Sequence, residues 1–219
     1  YDDNRFKSAT GEYAVPRLNF DNVDKLMKAA HENGVKLRGH TLVWHQQTPK
    51  YFFQQNYKIT TGQKYNTSKE CMDTRLEFYV KTVMNHVLSS EYADCLYSYD
   101  VVNEYLHSAN AEKDSKNITY WGLIYGTYDK SVKDHGVTLR PSYVKDAFKY
   151  AHEMLVKYDR LDVKLIYNDY NCYQNPENII HLVDYINSDG KVCDGIGMQS
   201  HLDITDSFHS ATNYAKALE

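Results

Sequence analysis

The chain has 219 residues, 42% hydrophobic and 25% charged, the balance of an ordinary globular protein large enough for one sizeable core or two small ones. A formal charge of -4 and a pI near 6.2, with no basic run, exclude the electrostatic footprint of a nucleic-acid or anionic-membrane binder. No stretch is apolar for long enough to span a bilayer, and a neutral ligand is expected.

Tyr1 opens on a polar segment, so no export signal or other targeting segment is read there. Phe20, Val23, Met27 and Ala30 keep helical spacing, with Asn19 or Asp21 as cap and Asn33-Gly34 as a left-handed stop. Val35 to His45 is β-branched and aromatic and is broken by Gln47-Thr48-Pro49, which predicts a strand. After a polar loop, Thr67-Ser68-Lys69-Glu70 forms a capping box before a helix whose face is Met72, Leu76, Tyr79, Val83 and Val87. Leu96 to Asn103 is the next strand, and it delivers an amide and a carboxyl, Asn103 and Glu104, side by side to one rim of a sheet. Glu104 is the candidate proton donor.

Tyr105 to Arg140 is the longest irregular stretch and is expected to wall a cleft. Pro141 opens a helix that runs to about Tyr158, with Val144, Phe148, Ala151 and Leu155 facing inward. Val163 to Tyr167 is a strand that leads into Asn168-Asp169-Tyr170. Pro176 then opens a helix through Ile179, Ile180, Val183 and Ile186, stopped at Ser188-Asp189-Gly190. Gly195 to Gln199 is a strand leading into Ser200-His201, and a last helix takes Ala211 to Leu218.

Helix and strand alternate four times, the pattern of βαβ crossovers and a parallel α/β sheet, and no linker divides residues 1–219, so one domain is expected. A doubly wound sheet calls for a Gly-rich phosphate turn after its first strand, and no G-x-G-x-x-G or G-x-x-x-x-G-K-[ST] is present. A (β/α)8 barrel instead places its chemistry at the carboxyl ends of the strands. Those ends carry His40 and Trp44, Asn103 and Glu104, Asn168 and Asp169 followed by Tyr170, and Gln199 and His201. Singly, each has an ordinary structural role as a core histidine, a core aromatic, a turn amide or a surface amide. Together, a ring of amides, imidazoles and one acid suits the hydroxyls of a sugar, and indole and phenol faces suit its ring.

The four cysteines, Cys71, Cys95, Cys172 and Cys193, stand far apart without a C-x-x-C pair, so they are expected as buried thiols, with one bridge left open as the alternative. His40 and His45 are five apart on a strand and so on opposite faces; no catalytic metal and no cofactor is expected. Asn66-Thr67-Ser68 and Asn117-Ile118-Thr119 fit a glycosylation sequon, a triplet common by chance.

The motifs Arg38-Gly39-His40-Thr41-Leu42-Val43-Trp44-His45, Asp100-Val101-Val102-Asn103-Glu104, Tyr167-Asn168-Asp169-Tyr170-Asn171 and Gly195-Ile196-Gly197-Met198-Gln199-Ser200-His201-Leu202 resemble, in order, signature strands of glycoside hydrolase family 10, the endo-β-1,4-xylanases. The resemblance implies a (β/α)8 barrel of which this chain supplies strands three to six, and retaining hydrolysis of xylan outside the cell or at its surface. Glu104 matches the family's acid/base, and Asn103 the amide on the sugar 2-hydroxyl. His40, Trp44 and Gln199 match residues of the subsite on the non-reducing side of the cut, and His201 one that hydrogen-bonds the nucleophile. Asn168 matches a structural amide and Tyr170 an aromatic platform on the leaving-group side. Xylan and xylo-oligosaccharides are the implied partners.

Two departures stand beside these matches. The family's nucleophile, in a Thr-Glu-Leu-Asp-like motif, is expected beyond Glu219, and its Glu-Asn-x-x-Lys segment before Tyr1; four βα units in this length extrapolate to roughly 400 residues for eight. The barrel is therefore expected to be incomplete, with open strand edges that associate with each other or with the missing segments. Retaining hydrolysis needs two carboxyls about 5 to 5.5 Å apart, and Glu104 supplies one. Two other readings remain: a catalytically incomplete sugar-binding or structural fragment, and a β-1,4-glucanase on the same barrel.

Overall fold

Four parallel strands alternate with helices in the computed structural model, which describes residues 15–58, 66–109, 119–201 and 211–218. The strands are β1 (Leu37–Trp44), β2 (Leu96–Asn103), β3 (Lys164–Asp169) and β4 (Gly195–Met198), hydrogen-bonded in the order β1-β2-β3-β4. A strand order that follows chain order has no switch point. Because crossovers keep one hand, every helix then falls on the same face of the sheet and leaves the other face to the interior. This is the wall of a (β/α)8 barrel, not a doubly wound sheet. Among the described residues β1 and β4 each pair on one side only.

Among the described residues the α-helices are α1 (Asp21–Glu32), α2 (Lys69–Ser89), α3 (Tyr120–Tyr125), α4 (Ser142–Lys157), α5 (Pro176–Ile186) and α6 (Ala211–Leu218). α2 packs along α4, which lies against β1, β2 and β3. The core between helices and sheet joins Met72, Leu76, Val80 and Met84 of α2 and Val144, Phe148, Ala151 and Leu155 of α4 to Val101, Val102 and Leu165 of the strands.

Several predicted boundaries move for identifiable reasons. Val35 belongs to the stop of α1, not to β1: Gly34 takes a φ of 64° while its N–H bonds His31 O at 3.1 Å and the Val35 N–H bonds Ala30 O at 2.9 Å. That pair of bonds is a Schellman motif. At the start of α1, Asn19 Oδ1 accepts the Asp21 N–H at 2.9 Å, with Phe20 in the cap position between them. α2 is capped by Ser68, whose Oγ accepts the Cys71 N–H at 3.1 Å; Thr67 is buried and its N–H bonds Phe53 O instead. The buried row of α2 runs Met72, Leu76, Val80, Met84, Leu88, and Tyr79 and Val83 flank it half-buried. In α5 the inward position is Leu182, and Ile180 faces solvent at 52% exposure.

The stretch after Glu104 is less irregular than expected. It holds a 3-10 turn over Tyr105–His107, α3, and an antiparallel bridge between Tyr128 and Val137. Asn117 and Ile118 of the second sequon, and Leu202, lie outside the described residues. All four cysteines are buried and free, so no bridge forms among them.

Candidate active site

Each strand turns sharply off the rim. Left-handed residues follow all four carboxyl ends: Gln47, Glu104, Asn171 and Ser200. Glu104 itself has φ 56° and ψ 32°, which costs a residue with a Cβ about 1 to 2 kcal/mol. Two backbone bonds hold it there, from its own N–H to Asn168 O at 2.8 Å and from the His107 N–H to Glu104 O at 3.2 Å. The turn aims a buried carboxyl along the rim while the chain departs.

Both oxygens of that carboxyl are engaged. Trp44 Nε1 donates to Oε2 at 2.9 Å and Gln199 Nε2 donates to Oε1 at 2.9 Å. An indole N–H and an amide N–H2 only donate, so they fix the carboxyl's orientation and cannot take its proton. Gln199 Nε2 also donates to Asn103 Oδ1 at 3.1 Å, and the same oxygen accepts from Asn168 Nδ2 at 2.7 Å. Asn168 Oδ1 in turn accepts from Arg38 Nη2 at 3.1 Å. Arg38 is donor-only, which sets the direction of every amide in the relay. His201 Nε2 donates to Gln199 Oε1 at 2.8 Å and completes that side chain.

Behind the relay, Asp100 gathers three donors. Arg38 reaches its Oδ1 through Nε at 2.8 Å and Nη2 at 2.6 Å, and His40 Nδ1 reaches Oδ2 at 2.9 Å. A carboxylate only accepts, so the proton of a neutral His40 sits on Nδ1 and the exposed Nε2 is left as an acceptor. Tyr170 stands apart from this relay: its ring stacks on His107 with centroids 3.8 Å apart. Burial holds His45 below the ordinary histidine value, against the pull of the negative charges of Glu104 and Asp169. Burial lowers His135 likewise, helped by His107.

All eight predicted site residues therefore lie on one rim, and seven of them share one hydrogen-bonded network. Arg38, Asp100 and His107 were missed as site residues, and Asp169 was placed on the rim without a role. Among the described residues no group of three or more His, Cys, Asp or Glu is placed to hold a metal ion. A cavity of about 760 Å³ opens beside β1, lined by His40, Trp44, Tyr51, Phe52, Tyr79 and Trp121 among others. Glu104 is not among its lining residues, so the relay marks the chemistry better than this cavity does.

Residues 2–219 match the description glycosyl hydrolase family 10. The chain belongs to that family. It is 46% identical over 208 residues to endo-1,4-beta-xylanase A of Butyrivibrio fibrisolvens, covering 94% of this chain and 45% of the relative. It is 35% identical over 191 residues to endo-1,4-beta-xylanase A of Thermotoga maritima, covering 86% of this chain and 15% of the relative. The N-terminal endo-1,4-beta-D-xylanase 10B of Clostridium thermocellum, solved complexed with xylohexaose, superposes with a TM-score of 0.72 at 30% identity over 96% of this chain and 39% of that one. The chain thus spans less than half the length of these family 10 relatives, and its four βα units are part of the family's (β/α)8 barrel.

Proposed function

We propose that this chain carries the acid/base half of a retaining endo-1,4-β-xylanase site, with Glu104 as the acid/base. The carrying observation is the Glu104 carboxyl, buried and oriented by Trp44 and Gln199, two groups that cannot compete for its proton. In the first step Glu104 protonates the leaving glycosidic oxygen while a second carboxylate attacks the anomeric carbon; in the second, Glu104 as carboxylate takes a proton from water. Among the described residues the other rim acids, Asp100 and Asp169, are each held by three donors, which suits positioning rather than attack. The nucleophile is not assigned to any of these described rim residues.

The sugar-facing roles follow from what the relay leaves over. Asn103 spends its carbonyl oxygen on Asn168 and Gln199, which leaves its N–H2 for a sugar 2-hydroxyl. His40 offers Nε2 and Trp44 its face on the non-reducing side, with Gln199 beside them. Asn168 holds Asn103 in place, His201 reaches toward the nucleophile, and Tyr170 supplies a platform on the leaving-group side. The substrate class is xylan and xylo-oligosaccharides, as the names of the relatives and the xylohexaose complex support. We place the cutting of this polymer outside the cell or at its surface.

The test is Glu104→Gln in an active polypeptide containing residues 1–219. Release of reducing ends from xylan should be abolished, while the first step on an aryl β-xyloside whose leaving group needs no proton should persist. Equal loss on both substrates would remove Glu104 from the acid role.

A further inference from the structure

His107 lies three residues beyond Glu104, in the 3-10 turn Tyr105–His107, and the reaction just described does not use it. Its imidazole does two things at once. Nδ1 bonds Asp169 Oδ1 at 2.7 Å, and one ring face stacks on Tyr170 at 3.8 Å with 23° between planes. Asp169 is fully buried, and its Oδ1 also accepts the Tyr170 N–H at 2.8 Å while Oδ2 accepts the Tyr167 hydroxyl. That hydroxyl accepts the Leu106 N–H at 3.1 Å. The turn after Glu104 is thus fastened to the end of β3 through Leu106 and His107, in addition to the Glu104 N–H on Asn168 O. His135 closes the far side, edge-on to His107 at 5.4 Å.

We propose that His107 is a positioning residue with two separable tasks: its ring backs Tyr170 as a platform for the leaving-group sugar, and its Nδ1–H, through Asp169, holds the turn that aims Glu104. The proposal rests on the reading of Glu104 and Tyr170 given above. A flat platform holds a sugar well only when its own tilt is fixed, and a stacked imidazole fixes it from behind. A carboxyl acts as acid only when it stays within hydrogen-bond reach of the leaving oxygen, and a clamped turn keeps it there.

Two substitutions divide the tasks. In His107→Asn the amide nitrogen falls where Nδ1 was, so the Asp169 bond is kept and the ring is lost; in His107→Phe the ring is kept and the donor is lost. With xylohexaose as substrate for the active polypeptide, Asn should raise KM about 3- to 10-fold with kcat within about twofold of wild type. Phe should lower kcat about 10-fold with KM little changed. Equal shifts in both parameters for both variants, or no shift, would overturn the proposal. The clamp has a readout that needs no turnover: in the 219-residue chain the His107 Nδ1 proton should resist solvent exchange in NMR spectra, and its carbon-bound ring protons should lose their ring-current shift in Tyr170→Leu. An exchanging proton and unshifted ring would overturn the arrangement itself. A wild-type polypeptide that cleaves no xylohexaose yet shows both signals would keep the clamp and refute the functional reading instead.

Discussion

Asp100 is the residue on which Arg38 and His40 lean, and Asp100→Asn removes its charge while keeping its shape. The native carboxylate is 3% exposed and takes three charge-assisted bonds, two from Arg38 and one from His40. An asparagine must turn its N–H2 toward one of these partners. Arg38 cannot accept, so the amide faces His40 and forces the imidazole proton from Nδ1 to Nε2. Breaking a buried pair costs about 3 to 5 kcal/mol, and Arg38 keeps 37% of its side chain exposed, which favours the lower end, about 3 kcal/mol. For a chain of this size that lowers Tm by about 6 to 12 °C. The assay is thermal unfolding of wild type, Asp100→Asn, Arg38→Met and the double variant. The double variant should lose well under the sum of the singles, because each single already breaks the same pair. A drop of less than about 2 °C for Asp100→Asn, or strict additivity, would refute the ion pair as a structural anchor.

A methyl at Gly197 would overlap the Arg38 guanidinium and the Asn168 carboxamide oxygen, whereas one at Gly195 would meet Ile166 at 3.5 Å. Gly197→Ala should therefore cost about 1 to 3 kcal/mol in denaturant unfolding and Gly195→Ala far less; equal costs would contradict the packing. Burial pushes the thiols of Cys193 and Cys172 up to about 11 and about 12. The four cysteines should accordingly resist an aromatic disulfide reagent at pH 8 in the native chain and all react in guanidinium, and fast native labelling would refute their burial. His45 and His135 are held below 6.5 in the fold, so below that pH the unfolded chain binds protons the native chain refuses. Stability should be full above pH 6.5 and fall as the pH drops below it, and His45→Gln with His135→Gln should flatten that fall in Tm measured against pH; an unchanged slope would refute the shifts.

The strand ends were legible because a polar residue after a β-branched run has few reasons to be there unless the rim uses it. Pro141 and Pro176 placed the starts of α4 and α5 closely, since a residue without an N–H fits a helix only in its first turn. Asp100 was hidden by the ladder itself. Asp100 and Asn103 are three apart, which strict alternation sends to opposite faces, yet the pairing of β2 with β3 shifts register between Asp100 and Val102, and both join the Arg38 relay. Arg38 was read only as part of a strand, because the partner that defines it lies 62 positions away. His107 sits in a stretch without periodicity and acquires its surroundings only through Asp169, again 62 positions on. The left-handed turn at Glu104 has no local signature, because glutamate has no preference for that conformation and the fixing bond comes from Asn168.

The role of Glu104 is tested most directly by chemical rescue of Glu104→Ala in an active polypeptide that contains residues 1–219. On an aryl β-xyloside with a good leaving group, the first step needs no acid and the glycosyl-enzyme accumulates, because water then lacks its base. Azide needs no base: it attacks the anomeric carbon as the bond to the enzyme carboxylate breaks, in the space the deleted side chain leaves. Turnover should rise with azide concentration and the product should be the β-xylosyl azide, the outcome of two inversions, while wild type is unaffected. No acceleration, or an α-linked azide, would contradict Glu104 as the acid/base of a retaining enzyme.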